Sequence, residues 1–147
     1  MQLTLYTDYT LRVLLYLALH PEKRCTITEI STAYGISRNH LVKVVHKLGQ
    51  GEWISTTRGK NGGMQLARPP KEINIGQLVR ETEPHMNILE CFDKETNTCP
   101  IIAPCSLKHV LFQARKAFMD VLDRHTLADA LNQPEQIIQI LHSSTQK

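Results

Sequence analysis

No stretch of this 147-residue chain stays apolar for long. The longest run, residues 13–19, is far short of the roughly 20 residues needed to cross a bilayer, so no membrane span is expected. The opening MQLTLYTDYT has no positively charged leader ahead of an apolar run, which points to a cytoplasmic protein without a secretory signal. Enzyme signatures are missing too: there is no nucleophile elbow, phosphate loop or HExxH. The glycines of RGKNGG lack the strand-then-helix setting of a nucleotide loop, and the chain is not expected to be an enzyme. Nor is there a CxxC pair, the usual mark of zinc ribbons and fingers, or any internal repeat or low-complexity tract.

What is present suits a folded protein of one compact domain, or of a small domain with an extension. Apolar residues make up 41% and charged residues 21%, a balance that excludes disorder. The net charge of +3 is unevenly spread. Residues 1–72 hold ten Lys or Arg against five Asp or Glu, whereas residues 73–147 hold seven against nine. A basic first half joined to a mildly acidic second half suggests a nucleic-acid-binding unit with a separate sensing or partner unit.

Local patterns give the order of elements. A first helix is predicted over residues 7–19, stopped by His20-Pro21. Thr26 stands three residues before Glu29, the capping-box spacing, and opens a second helix that ends at Gly35. Ser37 is placed to cap a third helix with Leu41, Val44, Val45 and Leu48 on its buried face, ended by Gly49 and Gly51. Two short strands follow, residues 53–57 and 64–67, joined by the basic glycine-rich tip Arg58-Gly59-Lys60-Asn61-Gly62-Gly63. A short helix is predicted over residues 75–83, then a loop from His85 to Pro104. Loops of that length in compact domains are usually functional.

From Ser106, residues Leu107, Val110, Leu111, Ala114, Phe118, Val121 and Leu122 recur at three and four, a seam of about 27 Å suited to dimerisation. Thr126 and Asp129 suggest a further cap, and Pro134 opens a last apolar stretch. The fold class is therefore mainly α with a small β-hairpin. The chain divides into a first unit over residues 1–72, which ends with the hairpin, and a second over residues 73–147, which carries the long loop and the helices suited to dimerisation.

A capped helix, a glycine turn, a second helix and a basic-tipped hairpin form the order of a winged helix-turn-helix, whose recognition helix presents its early residues to the major groove. Ser37, Arg38, Asn39, His40 and Lys43 occupy that stretch. Arg can pair bidentately with guanine and Asn with adenine, while Ser and Lys serve equally well on phosphates. Lys47 lies farther along and suits a backbone contact. Arg58 and Lys60 on the wing suit a narrow minor groove. Taken singly each could be an ordinary solvated side chain; the ordered set argues for double-stranded DNA.

Cys91, Cys99 and Cys105 fall within fifteen residues, and Cys25 stands alone upstream, where a buried structural role fits it. Thiolates favour iron–sulfur clusters, zinc and copper(I), and wide irregular spacings suit a loop around a larger inorganic body. Redox-active free thiols and a Cys3His zinc site remain open on spacing alone. Either would allow a small zinc or redox protein without a DNA role.

The opening MQLTLYTDYTLRVLLYLA, the helix ISRNHLVKVVHKL, the wing RGKNGGMQLA, the three-cysteine loop and TLADAL resemble a bacterial family of winged-helix iron–sulfur regulators. One branch of that family senses nitric oxide and another regulates iron–sulfur assembly. The likeness runs from Met1 to about Leu131, with the wing and cysteine loop its most specific parts. It implies a homodimeric repressor of an inverted-repeat operator, nitric oxide as effector, and a cluster in each protomer, [4Fe–4S] with [2Fe–2S] as the alternative. It further implies Cys91, Cys99 and Cys105 as ligands, completed by Asp8 of the other protomer. As read from its position alone, Asp8 could equally be a helix N-cap. The assembly branch, which would read cluster supply or oxidation, uses a histidine three residues after the last cysteine. Here that residue is Lys108, and His109 is displaced by about 100° around a helix.

Overall fold

The computed structural model describes residues 2–143, so the last four residues of the expected second unit lie outside the described ones. The first helix, α1 (Leu5–Leu19), begins two residues earlier than the sequence suggests because Thr4, not Asp8, is its N-cap: the Thr4 hydroxyl accepts the Thr7 N–H at 3.3 Å. Asp8 lies one turn inside and pairs with Arg12 four residues on, at 2.8 Å. The N-cap reading of Asp8 is thereby corrected.

The next helix, α2 (Ile27–Tyr34), has the full capping box, with Glu29 N–H donating to Thr26 at 3.2 Å and Thr26 N–H donating to the Glu29 carboxylate at 2.6 Å. Gly35 closes it with φ +64°, the left-handed geometry that disfavours a side chain. Helix α3 (Arg38–Gln50) follows; Ser37 stands at its cap position without a side-chain capping bond, and the helix runs through Gly49 to end at Gly51. Strands β1 (Ile54–Thr57) and β2 (Gly63–Leu66) form one antiparallel hairpin with Ile54 opposite Leu66. The hairpin is carried on the body by a bridge in which Cys25 and Met64 exchange backbone bonds of 2.9 and 2.8 Å.

Beyond a 3-10 turn at Pro70–Glu72 come α4 (Ile75–Thr82), the long helix α5 (Ser106–Asp123), a 3-10 turn at Leu127–Ala130 and α6 (Pro134–Ser143). The segment 127–130 is thus tighter than the α-helix its cap suggested, although Asp129 does take the Thr126 N–H at 2.7 Å. Residues 85–104 form the expected loop, broken only by a 3-10 turn at Glu90–Phe92.

One core runs across the body. It joins Val13, Leu14, Ile30, Leu41 and Leu48 to Ile73, Leu78 and Leu127, so the chain after residue 72 contributes to it. Met119 of α5 is also buried, yet Leu107, Val110 and Val121 of the same helix are exposed. The helix therefore lays one side on the body and leaves an apolar side open. Its C-terminal end is fastened firmly: Arg80 of α4 grips Asp123 with both guanidinium nitrogens, and Asn74 donates to the Asp123 carbonyl at 2.7 Å. Gly76 lies where an added Cβ would meet the Asp123 backbone nitrogen at 2.9 Å, so the α4–α5 crossing needs glycine.

Candidate functional site

Two separate groups of side chains carry chemistry. The first is the exposed face of α3 with the tip of the hairpin. Ser37, Arg38, Asn39, His40 and Lys43 are all exposed, as are Arg58 and Lys60 on the tip. The apolar residues Leu41, Val44 and Leu48 turn into the core and leave the basic residues outward. His40 is not wholly free, because its ring stacks on Tyr9 of α1 at 5.9 Å. Lys47 is also drawn back to α1, its ammonium 4.7 Å from the Tyr6 ring.

Sequence reasoning passed over three residues here. Val42 and His46 are exposed on the same stripe as Arg38, Asn39 and Lys43, following at one-turn intervals. Helical spacing held that signal, since a face already filled by Leu41, Val44 and Leu48 has no place for Val42. The third is Arg24, exposed beside the hairpin and 3.4 Å from Gln65 of β2. Only the non-local Cys25–Met64 bridge puts it there, and no local pattern encodes that.

The second group is a pocket of about 240 Å³ between the loop and the start of α5, with Cys91, Cys99 and Cys105 all on its wall. Leu89, Ile101, Ile102, Leu107 and Leu111 supply the apolar lining, with Glu90 and Lys108 the charged residues among it. All three thiols are half-buried and free of disulfides. Among the described residues, no three His, Cys, Asp or Glu side chains gather as a single metal ion requires. The thiols instead stand around a space much larger than the roughly 30 Å³ of one water. Soft donors spread over an aliphatic wall fit a polynuclear iron–sulfur group better than one tetrahedral zinc.

Cys105 is the N-cap residue of the 18-residue helix α5, so the start of that helix fixes where its side chain meets the pocket. Lys108, three residues on, lines the pocket, whereas His109 does not. Asp8 is not on the pocket wall of its own chain; its carboxylate is with Arg12. Cys25 is fully buried, and that burial pushes its thiol up to about 11, which leaves it a packing residue.

A carboxylate unforeseen in the sequence belongs to neither group and stands against the start of α1. Glu83, at the end of α4, accepts the Thr4 N–H at 2.8 Å, the Thr4 hydroxyl at 2.9 Å and the Thr7 hydroxyl. Burial alone would raise its carboxyl; the hydrogen bonds from Thr7 and Thr4 outweigh that and hold it below the usual carboxylate range. It fixes the start of α1, the turn that carries Asp8.

Comparison with known proteins bears on the family and the fold. Residues 3–133 match the model of the Rrf2 family, described as an iron-dependent transcriptional regulator. The chain is 48% identical over 142 residues to the HTH-type transcriptional regulator NsrR of Halalkalibacterium halodurans, covering 96% of this chain and 97% of the relative. Among solved structures it is similar to IscR of T. potens, with 25% identity, a TM-score of 0.70 and coverage of 89% and 86%. It also shares the fold of CymR, the global cysteine regulator of B. subtilis, at 23% identity and a TM-score of 0.73, covering 88% and 95% of the two chains.

Proposed function

The chain belongs to the Rrf2 family of iron-dependent transcriptional regulators, and on that footing we propose a homodimeric repressor whose grip on an inverted-repeat operator is set by an iron–sulfur cluster that responds to nitric oxide. Membership makes it a transcriptional regulator and not an enzyme, which answers the reading of a zinc or redox protein with no DNA role. The observation that carries the sensing part is the pocket: three thiols from a loop and a helix start, on one aliphatic wall. In this reading Cys91, Cys99 and Cys105 hold the cluster, with [4Fe–4S] favoured over [2Fe–2S]. Asp8 of the second protomer supplies the fourth ligand. The site of action is the cytoplasm, in keeping with the absence of any described helix long and apolar enough to cross a membrane.

A cluster held by Cys91, Cys99 and Cys105 would supply iron as the site of reaction with nitric oxide. The chain's own residues convert the state of the pocket into a change at the DNA. Cys105 opens α5, the exposed Leu107, Val110 and Val121 of α5 face the second protomer, and the far end of α5 is locked to α4 through Arg80 and Asp123. A shift at the cysteine end therefore reaches the dimer seam and the body that carries α3. On the DNA side, Arg38 and Asn39 read bases, and Ser37, His40 and Lys43 position the helix. Arg58 and Lys60 enter the minor groove. Lys108 on the pocket wall, where the assembly-regulating branch places a histidine, favours the nitric-oxide reading. The test is visible absorption of anaerobically purified protein, then nitric oxide added while operator binding is followed. Absorption that bleaches as binding is lost supports the reading, and binding indifferent to nitric oxide sinks it.

A further inference from the structure

Every hydrogen bond made by residues 85–104 among the described residues stays inside that segment, the longest reaching from Thr98 to Glu90. Backbone pairing therefore does not fasten the cysteine loop to anything. Beside the aliphatic side chains that the loop and α5 contribute to the pocket wall, the contacts that cross to α5 are aromatic. Phe92, next to Cys91, lies on Phe112 with ring centroids 4.2 Å apart and planes only 7° from parallel. The Arg115 guanidinium sits 4.8 Å from both centroids, and the Lys108 ammonium is 5.9 Å from the Phe112 ring. Arg115 has no carboxylate partner among the described residues, so its charge is committed to the rings. Phe112 follows Cys105 by seven residues, about 10 Å along the helix. Leu107, Lys108 and Leu111 line the pocket between the two. On α5 the pocket wall therefore runs from Cys105 to Leu111, and Phe112 is the next residue along the chain.

We propose that Phe92, Phe112 and Arg115 are positioning residues for Cys91: their stack clamps the cysteine-bearing loop to α5 and sets how firmly the thiol pocket holds its contents. The clamp is made of protein side chains alone. Its consequence for the cluster rests on the reading given above, but the tether does not. A parallel aromatic pair capped by a cation is worth about tenfold in a local opening equilibrium.

The test begins with metal-free protein and amide hydrogen exchange at Phe92 and Asp93, whose N–H groups bond to Leu89 and Glu90. Phe112→Ala should speed that exchange about tenfold while α1, α2 and α3 exchange as in wild type, and Phe112→Tyr, which keeps a ring, should restore it. Phe112→Leu serves in its place should the alanine variant not fold, with the same expected direction. After anaerobic reconstitution with iron and sulfide, Phe112→Ala should lose iron to EDTA about tenfold faster than wild type, and Arg115→Ala by a smaller factor. Unchanged exchange at Phe92 and Asp93 overturns the clamp, as does faster exchange spread through α1–α3, which marks general destabilisation. A loosened loop with unchanged iron loss overturns the positioning of Cys91. Wild-type protein that takes up no iron instead defeats the cluster reading, and the exchange result still decides the clamp.

Discussion

On α3 the buried side takes Leu41, Val44 and Leu48, which leaves Val42 51% exposed, one turn from Arg38 and one from His46. An exposed valine amid a polar recognition face suits the one apolar feature of the major groove, the thymine methyl. Replacing a contacted thymine with deoxyuridine should weaken binding about fourfold, the worth of one methyl, and Val42→Ala should make the protein indifferent to that replacement. Equal sensitivity in both proteins refutes the contact. Arg38→Ala and Arg58→Ala should each cost about 1–3 kcal/mol of operator affinity in binding titrations at fixed salt, with the fold unchanged. The exposed placement of Arg38, Asn39 and Lys43 at the start of α3 was legible in sequence because a helix start followed by charge is a local pattern. Glu83 was not, since its partners lie about eighty residues away, at Thr4 and Thr7.

At the level of elements, most of the fold could be read from periodicity and caps: α2 with its box, the hairpin, the long α5 and the loop before it. The misses have physical causes. Thr4 takes the cap of α1 because Glu83 receives its hydroxyl and N–H, so tertiary contacts chose the helix start over the Asp8 that sequence allowed. The Leu127–Ala130 segment tightens to 3-10 where Leu127 N–H reaches the Ile73 carbonyl at 2.8 Å, a bond across more than fifty residues. The Glu83 junction has a pH signature. Its carboxyl is depressed in the folded state, so its stabilisation is complete above the unfolded pKa of about 4.3 and disappears as pH falls through the lower folded value. Glu83→Gln should therefore cost about 1–2 kcal/mol in urea unfolding at pH 7, and the gap from wild type should narrow below about pH 4. A gap that is constant with pH disproves the linkage.

For the whole molecule, the single chain leaves the apolar side of α5 uncovered, and a second copy is the proposed cover. Val110 is a better probe of that seam than Phe118, because Val110 is 58% exposed in the lone chain while Phe118 is half-buried against it. Val110→Glu should give a folded monomer with poor operator affinity in sedimentation and binding measurements. The proposed dimer would also supply the fourth ligand, which a single chain does not place at the pocket. Asp8 is away from its own pocket wall, in an exposed pair with Arg12 whose loss should cost at most about 0.5 kcal/mol of stability. If Asp8 reaches the pocket of the second protomer, Asp8→Ala should leave unfolding unchanged yet alter the absorption of the reconstituted protein and make its iron labile. His109 is exposed and absent from the pocket lining, so His109→Ala should keep the wild-type spectrum and iron content. On the proposed cluster reading, Cys91→Ala, Cys99→Ala or Cys105→Ala should each remove or severely destabilise the cluster, since thiolates would be its principal ligands. The deciding comparison is anaerobic absorption and iron content of Asp8→Ala beside His109→Ala. An intact Asp8→Ala spectrum with a damaged His109→Ala spectrum would overturn both the carboxylate ligand and the preference for nitric oxide over cluster supply.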